Sequence, residues 1–255
     1  MDRLAYTALS ATISSAKQRV QLTNNLANLN TVGFKMTSGI QHSAEKVDGL
    51  GFETRFQPKI AGNDATGSVD LSPGAYINTG NDLDIAMMGE TVLGVQSKLD
   101  QSLAFTRRGD LHITSSGLVE TGDGNLVLGE DGPISVPLGQ IITFGVDGSI
   151  YARNPNTPES LQTKVGEMLL RDASEKRLQR RTDGLFEPAG SQVRGVDFES
   201  GPKDRRIQTG TLEGSNVNPV ASLVKMMDFS RSFEMQIKVI SEINNLDEKG
   251  SALIA

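Results

Sequence analysis

Two stripes of apolar side chains at helical spacing stand at opposite ends of this chain, and the glycine-punctuated middle between them carries the shorter rhythm of strands. From Tyr6, the positions Leu9, Ile13, Ala16, Val20, Thr23 and Ala27 recur at alternating intervals of three and four. The spacing predicts a helix running to Leu29. Beyond it, Asn30-Thr31-Val32-Gly33-Phe34 carries turn chemistry, with Gly33 free to take the positive φ that closes a helix. Near the other end, Pro219 has no N–H at a position where that group lacks an intrahelical partner, which predicts a helix start with Asn218 as its cap. Leu223, Met226, Ser230, Phe233, Ile237, Ile240, Asn244 and Asp247 continue the same spacing.

The plainest arrangement of two such helices is a hairpin covering the central domain. Three features argue that they need further partners. Both stripes are narrow, and the polar members Thr23, Ser230, Asn244 and Asp247 interrupt them. At roughly 1.5–3 kcal/mol per buried large apolar side chain, a lone pair barely offsets the entropy lost in ordering it. The ends also differ in charge. Residues 1–36 hold Arg3, Lys17, Arg19 and Lys35 against Asp2 alone, whereas residues 211–255 hold Lys225, Arg231, Lys238 and Lys249 against six acids. Opposite signs favour terminal helices lying side by side, within one chain or between neighbours. Finally, Asn24, Asn25, Asn28 and Asn30 crowd the end of the first helix. Amide side chains fill helices poorly and hydrogen-bond well, which suits a packed polar interface.

In the middle, 83–87, 103–107, 111–114, 118–121, 126–128, 134–136 and 141–144 read as short strands, separated by turn signals such as Gly122-Asp123-Gly124-Asn125 and Asp147-Gly148. This predicts an antiparallel β region. Residues 153–165, with Asn154-Pro155-Asn156-Thr157-Pro158, read as a loop, and a second β patch follows through 165–170, 185–187 and 207–212. The stretch 37–80 reads as an extended linker or β region leading from the first helix.

Composition removes most chemistry. A chain of 255 residues is long enough for a sizeable core, and with no cysteine it has no disulfide framework, thiolate nucleophile or Cys-bearing metal site. The two histidines, His42 and His112, are far apart and lack the neighbours of a triad or metal set. The run from Asp123 has Leu128 and Ile134 where a calcium loop needs its central glycine and closing glutamate. Arg108-Gly109-Asp110 reads as a tight turn, and the basic pairs near Arg177, Arg181 and Arg206 are interrupted by acids, as on a solvated face. The net charge of −6 disfavours nucleic acid as a partner. No apolar run approaches the roughly 20 residues of a membrane span, and the first residues lack the continuous apolar core of a cleaved signal. No catalytic constellation and no cofactor site emerges.

The most specific features are motifs. Asn24-Asn25-Leu26-Ala27-Asn28-Leu29-Asn30-Thr31-Val32-Gly33-Phe34-Lys35 resembles the N-terminal signature of the flagellar rod, hook and hook-associated (axial) proteins. Gly210-Thr211-Leu212-Glu213-Gly214-Ser215-Asn216-Val217-Asn218-Pro219-Val220 is similar to the same family's C-terminal signature, continued by Arg231 to Ile240. Leu83-Asp84-Ile85-Ala86, Phe105-Thr106-Arg107-Arg108-Gly109-Asp110-Leu111 and Gly132-Pro133-Ile134-Ser135-Val136-Pro137 are similar to its central β motifs, so the resemblance spans nearly the whole chain. Among rod members, the distal-rod protein carries a Gly-x-Gly-Phe-Phe segment where this chain has Gly89-Glu90-Thr91-Val92-Leu93-Gly94-Val95, which makes the proximal-rod member the nearer likeness and the distal one the alternative.

The resemblance implies an α+β, mainly β fold: central antiparallel β domains with long N- and C-terminal helices pairing as coiled coil. It implies a helical core domain from 1–36 and 211–255, an extended linker or β region over 37–80, and a central β domain over 81–210. It further implies a non-catalytic subunit of the periplasmic flagellar rod, exported by the flagellar type III apparatus without a cleaved signal. Such a subunit assembles with copies of itself and with other rod proteins into a helical tube that transmits torque from motor to hook. The expected assembly interface comprises Leu9, Ile13, Val20, Asn24, Asn25, Asn28, Gly33, Phe34, Ser215, Asn216, Asn218, Leu223, Met226, Phe233, Ile237 and Ile240. Ordinary helix capping within one subunit is the simpler role for the asparagines and Ser215. From other classes, a peptidoglycan-binding or peptidoglycan-acting module would want a carboxylate pair with aromatic platforms, which three tyrosines and no tryptophan do not favour. A monomeric adaptor of two helices and a β domain is the remaining alternative.

Overall fold

The computed structural model describes residues 2–37, 42–46, 56–60, 68–155, 162–191 and 193–252. They fall into two units. One comprises Asn28–Ser38 and Asp64–Asn216, and the other Met1–Ala27, Gly39–Asn63 and Val217–Ala255.

The first unit is the β body. Its main sheet runs in the order Leu178–Arg180, Phe186–Pro188, Leu103–Thr106, Thr91–Gln96, Leu126–Gly129, Val119–Thr121, Leu111–Ile113, with Leu170–Asp172 also pairing Thr91–Gln96 and Gly132–Pro133 pairing Leu126–Gly129. All these pairings are antiparallel. Smaller sheets join Ile141–Phe144 to Ser149–Arg153 and Thr163–Glu167, Ile85–Met87 to Ile207–Thr209, and Tyr76–Asn78 to Thr211–Glu213.

Alternation along the two central strands divides the core. Leu93, Val95 and Ala104 point into a large cluster with Ile85, Met87, Val127 and Ile150, while Val92 and Phe105 point the other way into a second cluster with Leu71, Phe186 and Phe198. Phe105 and Phe198 meet edge to face with centroids 4.8 Å apart. The strand Thr91–Gln96 is thus covered on both faces, so its sequence is a continuous apolar run without the polar alternation that identifies a half-buried strand.

The second unit contains α1, Asp2–Ala27, and α2, Pro219–Ala252, together with a hairpin of His42–Lys46 and Phe56–Ile60. Pro219 opens α2 as the sequence predicts, and the Asn218 side chain accepts the Ala221 N–H at 3.0 Å.

The pairing of long terminal helices as a coiled coil is corrected by the side chains. Described side chains lie mainly within 12–27 and 219–242. Along α1, every described member of the predicted stripe (Ile13, Ala16, Val20, Thr23 and Ala27) is exposed, whereas the sheltered face is Thr12, Ser15, Gln18, Leu22 and Asn25. On α2, Leu223, Ser230, Phe233 and Ile237 are exposed, and Met226 and Ile240 are half-buried with Ser222, Phe229, Ser232 and Gln236 on the sheltered side. Exposures of 51% for Ile13, 69% for Val20, 53% for Leu223 and 47% for Ile237 rule out a closed seam of these residues. The two helices instead meet through a polar contact, Gln236 Nε2 donating to Ser15 Oγ at 3.2 Å. The physical reason is the narrowness of the stripes: two of them facing each other bury too little to outweigh polar pairing on the other face.

The loop expected over 153–165 is also corrected, because strand Thr163–Glu167 occupies its end. That strand is exposed on nearly its whole length, so it has no apolar alternation to reveal it. Since Phe105 joins the two sheet strands at the centre of its cluster, Phe105→Ala should lower unfolding free energy by about 3–5 kcal/mol. Urea denaturation of the full chain measures this, with the loss appearing at unchanged slope.

Candidate functional site

Three distant segments meet inside the β body, and each carries one of the motifs singled out above. The strand Thr211–Glu213 turns Thr211 and Glu213 inward and leaves Leu212 half-exposed, a two-residue alternation that buries a carboxylate completely. Arg107 follows strand Leu103–Thr106, and Lys35 follows the turn at Gly33; both are likewise fully buried.

The geometry satisfies nearly every polar atom. Arg107 donates from Nε and Nη2 to Glu213 Oε2 at 2.8 and 2.6 Å, and its remaining donors reach the carbonyls of Gly89 at 2.7 Å, Thr91 at 2.9 Å and Met87 at 2.8 Å. All five of its N–H groups are used. The other carboxylate oxygen, Glu213 Oε1, accepts from Lys35 Nζ at 2.7 Å and from the Gly74 N–H at 3.1 Å, while Lys35 Nζ also donates to Ser72 O at 2.7 Å. One carboxylate therefore holds two cations in a dry interior.

Backbone contacts bind the same segments. The Gly33 N–H donates to Glu213 O at 2.7 Å, and Gly33 has φ +68°, where a Cβ would stand 2.3 Å from Arg107 O. A Cβ on Gly74 would stand 2.2 Å from Gly214 O. Both positions need glycine because backbone is packed against backbone. Asn216 finishes the junction: its Oδ1 accepts the Met36 N–H at 2.6 Å, and its Nδ2 donates to Asp70 O at 2.9 Å and to Ser72 Oγ at 3.2 Å. Over Phe34 lies the Arg180 guanidinium, 3.9 Å from the ring centroid, donating through Nη2 to Lys35 O. Burial brings Arg180 down to about 10.

Burial, and next the nearby Arg107 charge, bring the Lys35 ammonium down to about 8 against the opposing pull of Glu213. The cluster is an electrostatic clamp with no group placed for bond-making chemistry. Among the described residues, no group of three or more His, Asp or Glu is arranged to hold a metal ion.

The expected interface residues are distributed unevenly. Gly33, Phe34 and Asn216 belong to the clamp. Asn28 accepts from Thr31 Oγ1 at 3.1 Å and shapes the turn after α1; Asn25 is buried and Asn24 exposed on α1. Ser215 is half-buried beside Asn216, and Asn218 caps α2. Ile13, Val20, Leu223, Phe233 and Ile237 face outward, Met226 and Ile240 are half-buried, and the side chain of Leu9 lies outside the described residues, as does that of His42. Lys35, Arg107, Glu213 and Gly74 were not singled out from sequence. The signal available was the unbroken β context around charged residues: Glu213 shares strand parity with Thr211, and Arg107 directly follows Leu103-Ala104-Phe105-Thr106.

Residues 208–253 match the family model described as flagellar basal body rod FlgEFG protein C-terminal. The chain is 35% identical to the flagellar basal-body rod protein FlgF of Escherichia coli (strain K12) and 36% identical to that of Salmonella typhimurium, in each case covering 100% of this chain and 99% of the relative. It is 28% identical to the flagellar basal-body rod protein FlgG of Agrobacterium fabrum, covering 94% of this chain and 95% of the relative.

Removing the shared carboxylate leaves two buried cations without a counter-charge, so Glu213→Gln should cost about 3–5 kcal/mol in chemical denaturation of the full chain. The pH dependence has a defined sign. Below pH 8 the Lys35 amine is protonated in both folded and unfolded chains; between about 8 and the ordinary 10.5 the folded chain has released a proton that the unfolded chain keeps, so stability contributed by this group rises with pH. The difference in unfolding free energy between the wild type and Lys35→Met should therefore shift in favour of the wild type across that window, and a flat difference contradicts the assignment.

Proposed function

Starting from the FlgF family of flagellar basal-body rod proteins, to which this chain belongs, we propose that it builds the proximal part of the rod and passes torque from the motor towards the hook. The chain is a structural protein of the flagellar basal-body rod, and its role is mechanical rather than catalytic. Copies of it and of other rod proteins stack helically into a tube located in the basal body, after delivery by the flagellar export apparatus. The helices Asp2–Ala27 and Pro219–Ala252 supply the helical part, and the β body the outer domain.

One observation carries this reading: the terminal helices hold their apolar side chains outward. Val220, Leu223, Val224, Met227, Phe233, Met235, Ile237 and Val239 of α2, with Ile13 and Val20 of α1, are all exposed. A chain that remained alone in water would leave this surface unfilled, whereas one whose neighbours supply the opposing faces buries it on assembly. Contacts that repeat head to tail without closing give a tube, as a rod requires. Among the described residues no helix is long and apolar enough to cross a membrane, so these faces fit protein neighbours better than a lipid span.

The buried clamp fits the same role. Lys35 follows the end of α1 at Ala27 by eight residues, and Glu213 precedes the start of α2 at Pro219 by six. Holding these segments inside the β body keeps them from unravelling when the helices are loaded.

Ile237→Asp places a charge on the outward face of α2, where the isolated subunit has nothing to lose. The variant should keep the wild-type unfolding transition of its β body and be absent from purified basal bodies, with motility lost. Normal incorporation and swimming of that variant would sink the outward-face reading.

A further inference from the structure

The sheets of the β body end in strands of different character, and two of those ends are left without the usual protection. Strand Tyr76–Asn78 pairs on one side with Thr211–Glu213 and is exposed along its whole length, with Tyr76 and Ile77 on opposite faces. Short as it is, it has no charge, no proline and no bulge, three of the devices that keep a strand edge from pairing with another chain. Strand Ile141–Phe144 ends its three-stranded sheet in the same way, with Ile141 exposed and no charged residue. The other sheet ends are guarded. Thr163–Glu167 carries Lys164 and Glu167 paired at 2.8 Å, Leu111–Ile113 carries His112 opposite Glu120, the Leu178–Arg180 edge is taken by the Val69 N–H at 2.9 Å, and Ile207 is bound by Val146 O at 2.9 Å.

We propose that strand Ile141–Phe144 of a neighbouring copy of this chain adds to the free edge of Tyr76–Asn78, continuing the small sheet across the subunit boundary. Both strands are uncharged, three and four residues long, and each lacks a further backbone partner among the described residues. Joining them satisfies two rows of backbone groups and brings Ile77 against the aliphatic side chains of the incoming strand. Because the two edges differ, the contact is head to tail and does not close, which generates an array rather than a dimer. The receiving edge strand is itself held by its antiparallel pairing with Thr211–Glu213. The inference rests on the assembly reading given above, and it adds the partner segment and its mode of recognition.

The natural absence of cysteine makes the test direct. Cells are given, as their sole copy, full-length chain carrying Ile77→Cys, Ile141→Cys or both; basal bodies are purified, oxidised and run without reductant. The double variant should give a ladder of dimers and higher multiples of this chain, a mixture of the two single variants should give dimers only, and each single variant alone should remain monomeric. Dimers from Ile77→Cys alone, an adduct with a different protein, an internal cross-link, or no ladder although the chain is present in the basal body would each overturn the strand pairing while leaving the assembly reading intact. Absence of the unmodified chain from basal bodies would overturn both. As a second arm, Ile77→Lys should lose incorporation with an unchanged unfolding transition of the purified chain, and Ile77→Val should retain it; normal incorporation of Ile77→Lys counts against the contact.

Discussion

The organisation of this protein depends on one carboxylate shared by two cations. Glu213 lies 178 residues from Lys35 and 106 from Arg107, and all three side chains are fully buried. Such a cluster is weak evidence of net stability, because desolvation of the charges consumes most of what their attraction returns. Its value lies in what it forbids. Any register in which the segment around Gly33 or the strand ending at Glu213 is displaced leaves a full charge in the dry interior, an outcome far worse than a lost apolar contact. The close backbone approaches at Gly33 and Gly74, and the amide of Asn216 bridging three segments, reinforce the same register. The segments that follow α1 and precede α2 are thereby held in the β body by an arrangement with few alternatives.

That clamp gives a physical meaning to the motifs that mark the family. The N-terminal signature ends in Gly33-Phe34-Lys35, the C-terminal one contains Glu213 and Asn216, and a central one contains Arg107. Sequence alone displays them as three separate strings. In the folded chain they form one contiguous site, so the three strings answer a single packing problem inside the β body.

The helices and the strands differed in how much of them could be read beforehand. The central strands were legible where one face is polar and turns contain Gly with Asp or Asn, as at Leu111–Ile113 and Val119–Thr121. They were not legible where a strand is covered on both faces, as at Thr91–Gln96, or on neither, as at Thr163–Glu167, because both situations erase the two-residue alternation. Cap chemistry at Asn218 and Pro219 was local and therefore readable. The apolar stripes of α1 and α2 were found by their spacing, yet spacing cannot say which way a stripe faces, and here most stripe members are exposed while the sheltered faces mix polar residues with Leu22, Met226, Phe229 and Ile240. The clamp escaped notice because buried charges are rare and their partners lie more than a hundred residues apart.

In the proposed reading, the outward apolar face of the helices divides the molecule into a part that is complete on its own and a part that is completed by neighbours. Amide hydrogen exchange on the isolated full-length chain, set beside the same chain in purified basal bodies, addresses that division residue by residue. The sheet strands and the segments around Lys35 and Glu213 are expected to be slow in both states, and the amides of α1 and α2 fast in the free chain and slow in the rod. Helical amides as well protected in the free chain as those of Leu93 and Phe105 would contradict the account.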